Sequence, residues 1–526
     1  MIILNNCRFS LDYNFDDIKS RAADFLKIKA SQIVSARLYK KSVDARNKDE
    51  VHFCCSILVE VKSGEEKLIK RCKNARIFQD KKYIFEKCPM IPKIRPIVVG
   101  FGPAGMFAAL TLARAGLYPV IIERGPSVDK RIEDVNAFFS GAQINAESNI
   151  QFGEGGAGTF SDGKLNTGIK DFRCAEILSL FVQFGAPKSI LTDAKPHIGT
   201  DILRSVVKNI RKEIERCGGE VRFNSKLEKI FLKNGNLYSV QINGEEIPAD
   251  GMILAIGHSA RDTFKMLYDS GLSMVKKPFA VGVRIEHLQE DIDRAMYGRF
   301  AAHPALKAAD YKLAVHLENG RGVFTFCMCP GGEVVNASSD EYTIAVNGMS
   351  NSRRDGKNAN SAVLVGVNPS DICDEYPLAG CEFQQEIERR AYIAADGAVP
   401  VTTVGSFVFG KKAVLGKVKP TVKPGYALCD VGKILPSFVS EGIKQGIKRF
   451  GNLICGFDDE QAIITAPETR SSSPVRILRN ESGYSIDAKG IYPCGEGAGY
   501  AGGIMSAAAD GMKQAEMYIK YIKSPR

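Results

Sequence analysis

Apolar residues along this chain fall into two patterns, short unbroken runs and repeats at helical spacing, and their alternation predicts strands followed by helices. Residues 97–99, Ile-Val-Val, suit a strand buried on both faces, and Ala, Leu and Phe then recur at helical spacing. A second apolar strand follows at 118–122. Residues 201–217 predict a helix closed by Gly218 and Gly219, 221–223 a strand, and 227–232 with 237–242 a hairpin turning at Asn234 and Gly235. A further turn at Asn243 and Gly244 extends the hairpin to a three-stranded meander, after which 252–256 returns as a buried strand. Helical spacing resumes at 437–450 and again from about Gly503, the latter after a strand ending at Cys494.

The remaining segments are of different character. Residues 16–26 predict an amphipathic helix with Ile18, Ala22, Phe25 and Leu26 on one side, and 33–39 and 51–61 predict strands. Pro89, Pro92 and Pro96 mark a linker, and 276–430 shows strand-like segments and polar loops with few helix signals. The expected architecture is α/β: a small α+β module, ferredoxin-like in its alternation, over 1–90; a Rossmann-like dinucleotide domain with a β-meander from 91 to 275; an inserted mainly-β or α+β substrate domain from 276 to 430; and a return to the dinucleotide domain over 431–526.

Composition narrows the class. With 526 residues, 44% hydrophobic and 25% charged, the chain has material for several globular cores. No apolar run approaches a membrane span, and no basic segment precedes a long apolar one at the N-terminus, so a cytoplasmic protein without membrane partners is expected. The 14 cysteines include no Cys-x-x-Cys pair, which removes the usual zinc and thioredoxin signals and leaves reduced thiols as the expectation. Of the net charge of +11, residues 1–95 carry +9, from 21 Lys and Arg against 12 Asp and Glu. A solvated face accounts for this, or else a docking surface for an acidic or nucleic-acid partner.

Chemistry concentrates in the glycines that follow residue 99. Gly100 allows the sharp turn, Gly102 the approach of a diphosphate, and Gly105 close packing of the new helix on the strand. Pro103 and Ala104 open that helix, whose N-terminal N–H groups face the anion. Glu123, 18 residues beyond Gly105, ends the second strand where a ribose would present its hydroxyls, and a 2′-phosphate would meet its charge. Gly-x-Gly-x-x-Gly recurs at Gly153 and at Gly497, but without a preceding strand and a following acidic strand end, so only the first match is read as a dinucleotide turn. The segment 151–165, QFGEGGAGTFSDGKL, has five glycines in fifteen positions, which suggests close approach of a ligand to its backbone. Thr159, Phe160 and Ser161 stand there where disulfide reductases place a cysteine pair, so no dithiol relay is expected at that point.

These stretches, together with ILAIGHSARDTF, CMCPGGEVV, NGMSNSRRDGKNANSA and PCGEGAGYAGGIMSAAADG, resemble the bacterial FAD-dependent dehydrogenases called NAD(FAD)-utilising dehydrogenases, over nearly the whole chain. The resemblance implies FAD, a glutathione-reductase-like flavoprotein fold with a Rossmann-like FAD-binding domain, and little about substrate. The expected cofactor contacts are Gly100, Gly102, Pro103, Ala104 and Gly105 in the first turn, and Glu123, Arg124 and Arg131 after it. Gly156, Gly158, Thr159, Ser161, Gly163 and Lys164 are expected from the glycine-rich loop, then Leu227 and Gly257, and finally Gly495, Glu496, Gly503 and Ile504. NAD(P)H is a candidate transient electron donor, since only one complete dinucleotide turn is present. No metal site is expected.

For catalysis the sequence offers Arg284 and His287 in VGVRIEH, Glu286 sharing the Arg284 face, and Arg353, Arg354 and Arg470 as clamps for an acidic small-molecule substrate. Cys327 and Cys329 flank Met328 as either buried strand thiols or a redox pair, a disulfide between them being strained by the short loop. The expected function is an FAD-dependent oxidoreductase acting by hydride transfer on a small molecule; the competing readings are a flavin-dependent RNA-modifying enzyme and a non-catalytic flavin-binding protein.

Overall fold

The computed structural model describes residues 1–79 and 81–524. At its centre five parallel strands lie in the order Ile491–Pro493, Met252–Leu254, Ile97–Val99, Val120–Ile122, Glu220–Arg222. The unbroken apolar runs follow from burial of both sheet faces. Val98, Ile121 and Ile253 point to one side, into a core shared with the helices Pro103–Ala115, Thr200–Arg216 and Ile504–Lys523. Their neighbours Ile97, Val99, Val120, Ile122, Met252 and Leu254 point to the other, against the meander Leu227–Lys233, Asn236–Ile242, Glu245–Pro248 and the helix Arg261–Asp269.

A second sheet, seven-stranded and largely antiparallel, runs Ala314–His316, Gly322–Cys329, Asn358–Val367, Phe279–Leu288, Ile463–Glu468, Val399–Thr403, Tyr426–Leu428. It corrects the expected end of the insertion at residue 430. The helix Ser437–Gly451 buries Val439, Ile443, Ile447 and Phe450 in the core of this sheet, and Ile463–Glu468 is one of its inner strands. The chain rejoins the parallel sheet only after that strand, because the apolar face of a helix records that something covers it and not which sheet does. The helix Ala379–Ala394 is a second correction to a region expected to be poor in helices.

The N-terminal strands Ile2–Phe9, Ile33–Asp44, His52–Val61 and Ala75–Ile77, with helices Ile18–Leu26 and Glu65–Arg71, form a β-α-β-β-α-β unit. Its antiparallel sheet has the second strand at one edge and the fourth at the other. The unit docks on the body where Lys41 pairs with the segment 192–194 and where Phe300 and Leu306 pack against its core. Among the described residues no helix is long and apolar enough to cross a membrane.

Candidate functional site, a cleft between two sheets

A cavity of about 490 Å³ opens between the C-terminal ends of the parallel strands and one face of the seven-stranded sheet. Its first half is built by the glycine turn. Gly100 has φ +92°, and a Cβ there would lie 2.3 Å from the carbonyl oxygen of Ala255; at Gly105 it would lie 1.9 Å from that of Gly100. The turn is therefore closed to side chains, and no side chain caps the helix Pro103–Ala115 behind it. Glu123 is buried at the end of its strand. One carboxylate oxygen accepts from Phe101 N at 2.8 Å, the other from Gly125 N at 2.9 Å and Gly153 N at 3.0 Å. With roughly four lone-pair positions, the carboxylate retains capacity toward the cavity that it lines.

The glycine-rich loop lies over this turn. Gly155 N donates to Phe101 O, and a Cβ on Gly156 would come within 2.9 Å of Gly102 Cα. At the far end the helix Ile504–Lys523 also begins without a side-chain cap, beside Glu496, whose carboxylate lies 3.4 Å from His258 Nδ1. A Cβ on Gly257, Gly502 or Gly503 would meet nothing within 4 Å, and all three line the cavity, so their backbone is open to a ligand. His258 Nε2 is buried without a hydrogen-bond partner in the same wall. Two uncapped helix N-termini, open glycine backbone, an acidic strand end and an orphaned ring nitrogen suit a dinucleotide diphosphate, a ribose and a heteroaromatic ring.

The cavity is lined by most of the residues expected to touch a cofactor: Gly100, Gly102, Pro103, Ala104, Glu123 and Arg124; Gly156, Gly158, Ser161, Gly163 and Lys164; Leu227, Gly257, Glu496, Gly503 and Ile504. Four expected contacts are placed elsewhere. Gly105 is pressed on the Gly100 carbonyl, Gly495 packs on Ala104 and donates to Asp510, and Thr159 faces an apolar space with Phe181, Leu203 and Val207. Arg131, fully buried, donates to the carbonyls of Asn149, Ile150, Glu154 and Gly156 and so holds the glycine-rich loop from behind. Arg124 lines the cleft with its guanidinium engaged by Glu147 and Asp262 and stacked 4.2 Å from the Phe152 ring centre.

The second half of the cavity is the seven-stranded sheet, with Tyr311, Lys312, Thr325, Cys327, Asn347, Glu468 and Arg470 in its wall. Here the sequence expectations need correction. His287 is buried in the core against Phe457, its Nε2–H donating to the Phe457 carbonyl at 2.7 Å, and burial pulls its pKa below the usual imidazole value. Neither His287 nor Arg284 lines the cavity. Arg284 sits behind the wall, paired with Glu468 at 2.9 Å and bonded to Asn360, Asn347 and the Cys327 carbonyl. Glu286 accepts from Thr421 and Asn358, and Arg354 is locked to Asp162. Arg470 does reach the cavity, but Glu388 and Asp340 take up its charge, and Arg353 is exposed.

The residue this reading missed is Glu468. It closes the buried strand Ile463–Glu468, and burial, opposed by Arg284 and aided by Cys329, raises its pKa to about 7. The signal was present in TAPETR: an acid ending an apolar strand, two positions before an arginine. Around it, Lys164 donates to the Met328 carbonyl and lies 3.9 Å from Cys329 Sγ. Burial opposes the Lys164 charge, yet the two sulfurs and Asp162 outweigh it and hold the ammonium.

Residues 278–471, the second sheet and its covering helices, match a family described as FAD-dependent protein, C-terminal domain-like, and residues 1–60 match a domain of unknown function. Among solved structures, the chain is similar to a geranylgeranyl bacteriochlorophyll reductase-like protein of Thermoplasma acidophilum, at 14% identity and a TM-score of 0.37 over 81% of this chain and 78% of the other. A flavoprotein/dehydrogenase from Cytophaga hutchinsonii is similar at 13% identity and a TM-score of 0.36 over 82% and 80%. An uncharacterized protein of Clostridium beijerinckii is 47% identical over 538 aligned positions, covering all of both chains. The chain belongs to one family with that clostridial protein, and it is an FAD-dependent protein.

Proposed function

We propose that the protein is an FAD-dependent oxidoreductase that exchanges hydride with a small molecule bound at the second-sheet end of the cleft. The observation that carries this reading is the continuity of the cavity: the dinucleotide turn at Gly100–Ala104 and the titratable wall at Glu468 and Cys327 border the same space. Bound FAD supplies two-electron redox chemistry, and the chain supplies position, charge and protons. The first turn, Glu123 and the backbone at Gly257 and Gly503 hold the cofactor. Glu468, with a pKa near neutrality, holds or releases a proton at its carboxylate, and Arg284 positions it from behind. Lys312 borders the same end with Lys164 and Lys195, which are paired with Asp162 and Asp310, and offers a cationic contact to a substrate with negative charge. NADH or NADPH is the proposed transient donor.

Anaerobic mixing of the purified yellow protein with NADH, NADPH and a panel of small acids tests the reading. Bleaching of the flavin absorbance by at least one of them is the expected result. A protein purified without flavin that takes up none on incubation would overturn it.

A further inference from the structure

We propose that Cys327 and Cys329 form a reactive thiol pair at the substrate end of the cleft, with Cys327 the nucleophile toward a small-molecule disulfide. The proposal rests on the preceding reading only in placing the substrate in that cavity. It begins with an irregularity in the strand Gly322–Cys329. Pairing with Asn358–Val367 shifts register between Phe326 and Cys329, and Cys327 takes φ +43°, a left-handed conformation that a non-glycine residue adopts at a cost. In a regular strand the two thiols would share one face. The bulge instead turns Cys327 into the cavity wall and leaves Cys329 fully buried behind it, donating its S–H toward the Cys327 carbonyl at 3.3 Å.

Lys164 reaches over from the glycine-rich loop, Arg284, two strands away in the sheet, lies 4.0 Å from Cys329 Sγ, and Glu468 stands opposite, partnered by Arg284. Asp162, paired with Arg354, also lies 3.5 Å from the Lys164 ammonium. Lys164 and Arg284 are thus the cations nearest the thiols, the first shared with Asp162 and the second with Glu468. The Cys329 S–H first, then Lys164 and Arg284, bring the Cys327 thiol down to about 6 against the opposing effect of burial, whereas Cys329 is driven up. The accessible sulfur is thus the more acidic of the two.

An accessible thiolate backed by a protonated thiol suits exchange with a disulfide. Cys327 sulfur attacks one substrate sulfur; the substrate S–S bond breaks, a mixed disulfide forms, and the first thiol leaves with a proton from Glu468. Cys329 sulfur then attacks Cys327 sulfur, its proton goes to the second departing thiol, and the protein pair is left joined. The two electrons gained by the substrate come from the two protein sulfurs. A link across so short a loop is strained and readily reduced again.

The test uses the flavin-bearing protein, reduced and held anaerobically. Brief iodoacetamide treatment near pH 6 followed by peptide mapping should alkylate Cys327 at least about tenfold faster than the exposed Cys373 and Cys455. Lys164→Met should slow that reaction several-fold. With 2-hydroxyethyl disulfide, Cys329→Ser should stop at an adduct on Cys327, whereas the unaltered protein should yield the 327–329 link. Cys327 reacting no faster than Cys373 and Cys455, or no adduct on Cys327 in the Cys329→Ser protein, would overturn the proposal. Flavin absorbance recorded on the same samples separates the two readings. A yellow, reducible protein with inert Cys327 removes the thiol pair alone; a flavin-free protein with reactive Cys327 removes the oxidoreductase reading alone.

Discussion

Glu123 and Glu468 are both buried carboxylates at strand ends, and their partners make them different. Glu123 accepts three backbone N–H groups, so it organises the turn that it also faces. Glu123→Ala leaves three buried amides unpaired, at about 1–3 kcal/mol each. Lowered melting temperature and at least about tenfold weaker FAD binding are the expected outcomes, the latter equivalent to about 1.4 kcal/mol; unchanged flavin occupancy after dialysis would remove Glu123 from the cofactor site. Glu468 has one cationic partner and deep burial, and burial prevails. Its folded pKa of about 7 lies above its ordinary value of 4.5, so its contribution to stability is complete below pH 4.5 and is lost as pH rises through 7. Carbon-13 NMR of labelled glutamate should show a titration near pH 7 that disappears in Glu468→Gln and moves upward by about 1–3 units in Arg284→Met. Sequence reading found Glu123 because motif spacing points to it. It chose Arg284 and His287 over Glu468 because residue type alone does not distinguish a side chain in front of a wall from one behind it.

At the level of elements, the cleft depends on how closely the helices Pro103–Ala115 and Ile504–Lys523 cross. A Cβ on Gly511 would lie 2.1 Å from the Ala104 carbonyl, so Gly511→Ala must separate the two helices. Such overpacking costs about 1–3 kcal/mol and should lower the melting temperature even without flavin. Gly502→Ala is the contrasting change: nothing lies within 4 Å of its Cβ, the residue lines the cavity, and its φ is ordinary. It should melt as the unaltered protein does when flavin is removed, yet bind FAD more weakly; calorimetry and flavin titration on both variants decide this. The parallel strands, meander and hairpin turns were legible because each carries a local pattern. The helix Ala379–Ala394 was not, since its polar residues Gln384 and Glu388 are buried in pairing with Thr469, Arg261 and Arg470, contacts that lie far away in sequence.

Viewed whole, the molecule places its cavity between two hydrophobic cores, one around the parallel sheet and one around the seven-stranded sheet. A cofactor that touches both walls stabilises both against opening. FAD at about 100 times its dissociation constant should add about 2.7 kcal/mol, seen as a higher melting temperature than that of the flavin-depleted protein; coincident melting with and without FAD would contradict the placement. The basic N-terminal unit stands apart from this cleft, docked through Lys41 and the segment 298–306, with Arg37 and Lys40 of its edge strand exposed.

The sequence by itself determined the dinucleotide turn, the acidic end of the second strand and the loops that return to them, because glycine placement and apolar periodicity act over a few residues. Only the tertiary structure decided which groups face the cleft. The second sheet brings strand ends from residues 327 and 468 against the loop at Lys164, and a strand bulge turns one cysteine outward and its neighbour inward. Those outcomes follow from long-range pairing and from the competition between burial and distant charges, neither of which leaves a mark within a local stretch of chain.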